Sequence, residues 1–442
     1  MSSTVQPLAD PVIAKYKAQY ESLRAQLPGA PELRDQAIEV FAREGLPTRR
    51  VEAWRYTDLR PLTRSEFSSG VSSKVTRSDL DPYKLPGAAV FVFIDGNFAP
   101  DLSANDDLPD DVVFSSLAEA LKSEDKELVD ELGTVADFET AGFAALNTAL
   151  MQDGAVIRIA DNASIEKPIQ CLFVSANDSP VETHMRNLIV AGVNSSANLL
   201  QTFVTLGKSS GFSEVVAETI LKDGANLRHV VHQDQSKTAW HINLHAVQVG
   251  RAANLNSFVL SSGARLSRNE IRASLENEGA DCSLNGIALV RGRQHCDNTT
   301  DVDHAASHCH SNQMYKNVLD DRARTVFQGR IHVAPDSQKT DAHQMNRNLL
   351  LSRNAQADSK PELIIHADDV KCSHGATVGD MDQDALFYLQ SRGIDVVTAR
   401  NMMVHAFAAE LVESLPEDAI RAYLERAIKT WLEGGALVEE AA

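Results

Sequence analysis

Between Asp10 and about Glu44 the apolar residues Ile13, Tyr16, Tyr20 and Leu23, then Leu33, Ala37, Val40 and Phe41, recur at helical spacing around a break at Pro28-Gly29. The pattern predicts two helices in succession. Val90, Val92 and Ile94 alternate with Phe91 and Phe93 ahead of Asp95-Gly96, predicting a strand that runs into a turn, and Asp137 to Met151 reads as a further helix. Residues 1–152 are therefore expected to form a mixed helical N-terminal domain.

After Asp153-Gly154 the period shortens to two: Ala155, Ile157 and Ile159 would share one face of a strand, and Val156, Arg158 and Ala160 the other. Short strands and small polar turns then alternate, and a tetrad recurs: Ser196-Ala197-Asn198-Leu199, Gly224-Ala225-Asn226-Leu227, Ala252-Ala253-Asn254-Leu255 and Gly279-Ala280-Asp281-Cys282. Its central alanines are 28, 28 and 27 residues apart, a fixed period of the kind that marks stacked repeats. A coil with a small residue at a tight corner lets each rung bury its apolar face on the next, which describes a parallel β-helix over residues 153–380. Weaker echoes, Arg322-Ala323-Arg324-Thr325 and His374-Gly375-Ala376-Thr377, extend the pattern to about residue 379. A β-sandwich whose turns share Ala-Asn is the alternative.

From residue 381 to 442 helices return. Asp382 can cap one carrying Leu386, Phe387 and Leu389 that stops at Gly393; Ala399, Met402, Met403, Ala406, Phe407 and Leu411 stripe a second. Pro416 lies early in a third, with Ile420, Tyr423, Leu424, Ile428 and Trp431 before Gly434-Gly435. A helical unit at the end of a repeat stack is a natural docking surface, and Met402, Met403 and Phe407 are the candidate anchors. The predicted fold is mainly β, with a helical domain at each end.

Composition narrows the function. A net charge of −19, from 42 basic and 61 acidic residues, repels nucleic acid and anionic lipid surfaces. Cys171, Cys282, Cys296, Cys309 and Cys372 are odd in number, scattered and free of any CxxC spacing, which fits a reduced, cytoplasmic protein. Met1 to Asp10 shows no apolar leader, and no apolar run is long enough to cross a bilayer. No phosphate-binding loop, dinucleotide fingerprint, zincin helix or nucleophile elbow occurs, so ATP chemistry would have to come from a partner.

Two clusters could carry chemistry. His295, Cys296, His304, His308, Cys309 and His310 crowd one stretch without a standard zinc spacing. In Asp368-Asp369-Val370-Lys371-Cys372-Ser373-His374, Cys372 and His374 lie two apart and so share a strand face, a thiol and an imidazole suited to iron. Asp368 and Asp369 would also suit a β-helical polysaccharide lyase or hydrolase, and His304, His308, Cys309 and His310 a stand-alone metal-binding protein. Few aromatics, 6%, are available to stack on sugars.

The runs Lys339 to Gln344, Asn348 to Ser352, Ser359 to Leu363, Asp368 to Gly379 and Phe387 to Ile394, with Glu52-Ala53-Trp54-Arg55-Tyr56-Thr57-Asp58-Leu59 near the start, resemble the signatures of the SufB/SufD family across nearly the whole chain. The resemblance implies a right-handed parallel β-helix core with helical ends. It implies a non-catalytic scaffold in a complex of one SufB, one SufD and two copies of the SufC ATPase, on which an iron-sulfur cluster forms transiently. SufB has His-Glu-Ala-Thr where this chain has His374-Gly375-Ala376-Thr377, so Gly375 points to the SufD side of the family. By the same resemblance His374 sits at the SufB interface as a transient iron ligand or proton acceptor, with Cys372 beside it, and the C-terminal helices receive SufC. The resemblance leaves open a flavin in the full complex and a homodimer of the free chain.

Overall fold

The computed structural model describes residues 10–68, 74–105, 108–123, 126–139, 141–207 and 210–434. Residues 1–9, where a leader was sought, and Gly435 lie outside them. Strand makes up 41% of the chain against 25% helix, and the core is a β-solenoid of about eight turns. From Ala155–Ile159 and Ile169–Ser175 to Gln356–Ile365 and Lys371–Asp380, successive strands alternate between two sheets, so each pairs in parallel with strands of the neighbouring coils. A β-sandwich of antiparallel sheets is thereby excluded.

The space between the sheets is filled by every second residue. Phe93, Phe173 and Phe203 stack at 4.8 and 4.7 Å on successive rungs. Farther along, polar side chains replace them: His229, His241 and His245 are fully buried, the first and last with ring centroids 4.5 Å apart.

Register explains the repeat and corrects one rung of it. Asn226, Asn254, Asp281, His310 and Asp341 pair in one column, so Ala225, Ala253, Ala280, Cys309 and Thr340 occupy equivalent corners. Ala197 pairs with Leu227 instead, and the corner of its coil is Ser195. One residue before each corner the backbone is left-handed: Asn194, Gly224, Ala252, Gly279, His308 and Lys339 have φ of 55, 70, 50, 76, 58 and 64°. The tetrad's small first residue answers this turn, where glycine carries no steric penalty. The weaker echoes are not members of this column. Ala323 enters the strand Arg324–Val333 on the other sheet, and His374 to Thr377 lie within a strand.

Both outer faces are covered, which is why most strands are buried on both sides. Helices Pro11–Leu23, Pro31–Glu44 and Gly142–Leu150 pack together through Tyr16, Tyr20, Phe41 and Leu146, and the third lies on the nine-stranded sheet, where Asn147 Nδ2 donates to the Met185 carbonyl at 3.0 Å. The helix expected from Asp137 starts only at Gly142. Its forerunners are otherwise engaged: the amides of Gly133, Val135 and Ala136 wrap the Glu218 carboxylate, and Glu139 N donates to Asp137 Oδ1 at 2.8 Å, a local bond that competes with helix.

Strand pairing crosses residue 152. Ala89–Ile94 runs parallel to Ile169–Ser175, and Val112–Ser116 antiparallel to Ala155–Ile159, so N-terminal strands close the first coil. On the ten-stranded sheet lie helices Val396–Val412 and Asp418–Leu432, with Val404, Leu411, Ile420, Leu424 and Ile428 buried against Val230, Phe258 and Ile287, and helix Gln383–Ser391, which buries no residue fully, packs against the first of them. Asp382 caps Gln383–Ser391 and Asp395 caps Val396–Val412, while Pro416 lies just ahead of Asp418–Leu432.

Candidate functional site

Among the described residues the strand Lys371–Asp380 hydrogen-bonds a neighbour on one side only, Asp341–Leu350, and Gln356–Ile365 is likewise the last strand of its sheet. Both edges are open. Cys372, His374, Ala376 and Val378 continue the inward columns of Ala342, Gln344, Asn346 and Asn348, all of which are buried. With no further coil above it, the same orientation exposes His374, and Val378 is 53% exposed. His374 has no hydrogen-bond partner among the described residues, so neither ring nitrogen is engaged within the chain. The imidazole thus belongs to an inward column and is left uncovered at the open end of the stack.

Cys372 shares that face, as the spacing predicts, but is half-buried against Ile331, Val333 and Ala342. Burial, helped by Asp341, pushes its thiol above the ordinary cysteine range, so it is protonated at neutral pH in the free chain. Gly375 points to the other face, where an added Cβ would meet the flexible end of Met345 at 2.7 Å.

The histidine-cysteine stretch does not assemble into a metal site. His295 and His310 sit on the outer face, Cys296 and Cys309 are buried, His304 bonds Ser311 Oγ at 2.8 Å, and His308 is an exposed left-handed corner residue beside Glu278. No cluster of three His, Cys, Asp or Glu residues able to hold a metal occurs among the described residues. Strand alternation separates what the sequence crowds together. Asp368 and Asp369 also form no acidic pair in a groove, because they close the turn between the two terminal strands, where Asp369 binds Lys339.

Residues Glu52 to Leu59 prove to be a fastening. Trp54 lies under the Arg268 guanidinium at 4.0 Å, the Thr57 hydroxyl bonds Asp297 and lies 3.0 Å from His295 Nε2, Gln328 Nε2 donates to the Ala53 carbonyl at 2.9 Å, and Lys360 pairs with Glu52 at 2.6 Å. Desolvation holds the His295 imidazole down at about 4. The segment therefore straps the nine-stranded sheet from Arg268 to the terminal strand carrying Lys360.

On the helical layer the expected trio divides. Met402 is 47% exposed, whereas Met403 and Phe407 pack partly against the sheet, and Lys316 Nζ donates to the Phe407 carbonyl at 2.8 Å. Phe387, 71% exposed, with Tyr388, Val396 and Val397 adds an apolar surface not among the expected anchors. Helix Val396–Val412 is apolar on several sides, so its period did not say which side would remain open.

Among proteins of known family, residues 173–407 match the family model described as the SUF system FeS cluster assembly SufBD core domain, and residues 12–171 match the SufBD protein N-terminal region. A SufBD family iron-sulfur cluster assembly protein of Synechocystis sp. (strain PCC 6803) is 31% identical over 89% of both chains. The iron-sulfur cluster assembly protein SufD of Escherichia coli K12 is 30% identical over 91% of this chain and 93% of its own. The chloroplastic protein ABCI7 of Arabidopsis thaliana is 29% identical over 91% of this chain and 87% of its own. The solenoid, its helical ends and these matches agree that the chain belongs to the SufBD family of iron-sulfur cluster assembly proteins, in which it is SufD-like.

Proposed function

We propose that the chain is the SufD-type scaffold of a SufBCD complex, pairing through its open coil with a SufB-like subunit and meeting the nascent cluster through His374. The terminal coil carries this reading: two strand edges with unpaired backbone groups, and an unpartnered imidazole on the inward face between them. Such edges are templates for strands of another chain, and a paralogous solenoid can continue both sheets at once. The cluster is cargo, held in passing. Imidazole nitrogen is a suitable donor to iron, and Cys372 becomes one only when a metal or a partner's charge removes its proton.

The exposed apolar surface of Phe387, Tyr388, Val397 and Met402 receives a SufC-like ABC ATPase, with Met403 and Phe407 supporting it from below. ATP turnover belongs to that partner, and this chain is a non-catalytic subunit. A second copy of the chain would use the same open edges when no SufB-like subunit is present. The compartment is the cytoplasm, which keeps the five unpaired thiols reduced.

Anaerobic copurification of the tagged chain tests the assembly, and recovery without a SufB-like protein and an ATPase would refute it. His374→Ala tests the site. With no hydrogen bond to lose, the variant should keep its stability within about 0.5 kcal/mol and retain both partners. The cluster content of the purified complex should fall at least five-fold. Wild-type cluster content in the variant would remove His374 from the reading.

A further inference from the structure

Ahead of the first helix lies a concavity of about 780 Å³ lined by Arg49, Arg50, Arg55 and Arg60 over an apolar floor that includes Leu46 and Pro47. Its charge runs against that of the molecule. Residues 47–64 contain five arginines against the two carboxylates of Glu52 and Asp58 in a chain of net charge −19, and the lining itself sets four arginines against Asp10 and Asp58, a local excess of two positive charges. Neither Glu52 nor Asp58 serves the whole group. Glu52 is held by Lys360 at 2.6 Å, and Asp58 is taken up by Arg60 through Nε at 2.9 Å and Nη2 at 2.6 Å. Arg49 donates from Nε to the Arg55 carbonyl at 2.9 Å, which fixes its stem, and its terminal nitrogens have no hydrogen-bond partner among the described residues. The Arg50 and Arg55 side chains form no hydrogen bond or ion pair there.

We propose that this concavity binds an organic phosphate, its phosphoryl oxygens held by Arg50 and Arg55 with help from Arg49, and its organic part seated on Leu46 and Pro47. The planar guanidinium fork matches phosphate oxygens two at a time, and several forks on one concave wall suit a single compact anion of high charge. The volume falls within the range of about 300–1,000 Å³ typical of small-ligand sites. Asp10 and Asp58 also line the concavity, where they would oppose a run of carboxylates on a peptide but could accept hydrogen bonds from sugar hydroxyls. Long-range attraction from this patch would select phosphate esters against the repulsion of the remaining surface.

Isothermal titration of the full chain with ADP, and separately with pyrophosphate, tests the assignment. Arg50 and Arg55 are exposed, so an Arg50→Gln/Arg55→Gln variant should fold as the wild type does, checked by its thermal melt. Saturable ADP binding that weakens at least ten-fold in this variant, recovers in part with lysine at both positions and declines with salt is the expected result. No saturable binding of either probe at millimolar concentration would overturn the proposal. So would equal ADP affinity in the Gln variant, or an oligoglutamate peptide that displaces ADP and binds more tightly.

Discussion

Replacing Asp297 with Ala should loosen the strap that fastens the N-terminal domain to the solenoid. Asp297 accepts hydrogen bonds from Arg268 Nη1 at 2.5 Å, from the Thr299 hydroxyl at 3.0 Å and from the Thr57 hydroxyl. Arg268 is fully buried against the Trp54 ring and would be left with Glu270 alone, 2.8 Å away. Deleting one partner of a buried ion pair costs about 3–5 kcal/mol, and the surviving Glu270 contact sets the lower figure here. That cost exists only while Trp54 keeps water from Arg268. Once the segment lifts, the guanidinium is hydrated and the penalty disappears, so the substitution biases the strap towards its lifted form. At about 1.4 kcal/mol per ten-fold, about 3 kcal/mol corresponds to on the order of 100-fold more lifted strap. Amide hydrogen exchange reads this directly, because the amides of Trp54, Arg55 and Thr57 are bonded within the strap to Val51, Glu52 and Trp54. Their protection should fall about 100-fold while the solenoid amides keep theirs. Asp301→Ala, which removes only the more exposed pair with Arg330, should leave strap exchange unchanged. Strap protection within about three-fold of wild type in Asp297→Ala would refute this account.

Met402→Asp should leave the fold intact and release the ATPase, whereas Met403→Asp should destabilise the helical layer by about 1–3 kcal/mol, since it puts a carboxylate against the apolar sheet face; pull-down and urea unfolding separate the two, and ATPase retained by Met402→Asp would exclude that surface. Burial lowers the imidazoles of His229, His241 and His304 from 6.5 to about 4, 3 and 4, so the native state keeps them neutral while the unfolded chain protonates them. Their contribution is complete above pH 6.5 and is lost as the pH falls towards those values, at up to about 1.4 kcal/mol per pH unit for each. The urea midpoint should therefore be lower at pH 5 than at pH 7.5, and equal midpoints would count against burial of neutral rings. Glu270 adds a later loss: desolvation opposes its ionisation, but Arg268 and Arg272 outweigh this and hold it at about 2, so its contribution fades only below its ordinary 4.5.

The solenoid was legible because its left-handed corner position recurs and favours small residues, and Gly224, Ala252 and Gly279 show it. It was misread at Ala197 because Asn194 and Ser195 make the same turn with different residues, and residue spacing cannot reveal a register that pairing alone sets. Cys372 and His374 shared a face as strand geometry requires. That one is half-buried and the other exposed depends on where the stack stops, which no local pattern encodes. The stretch from His295 to His310 misled for the opposite reason: a strand, a corner and the start of a second strand divide it among three environments. The role of Trp54 and Thr57 was invisible because their partners, Arg268 and Asp297, lie more than 200 residues away.

The two ends of the solenoid differ in kind. At the first coil, the two-residue strand Asn97–Phe98 and the short strand Val112–Ser116 run antiparallel to the stack and terminate both sheets, while at the last coil both edges are bare. A stack open at both ends could polymerise without limit, but a stack blocked at one end has a valence of one. Were the bare end to pair with a chain blocked in the same way, neither partner would offer a second end to the sheets, so edge pairing would give a closed pair rather than a filament.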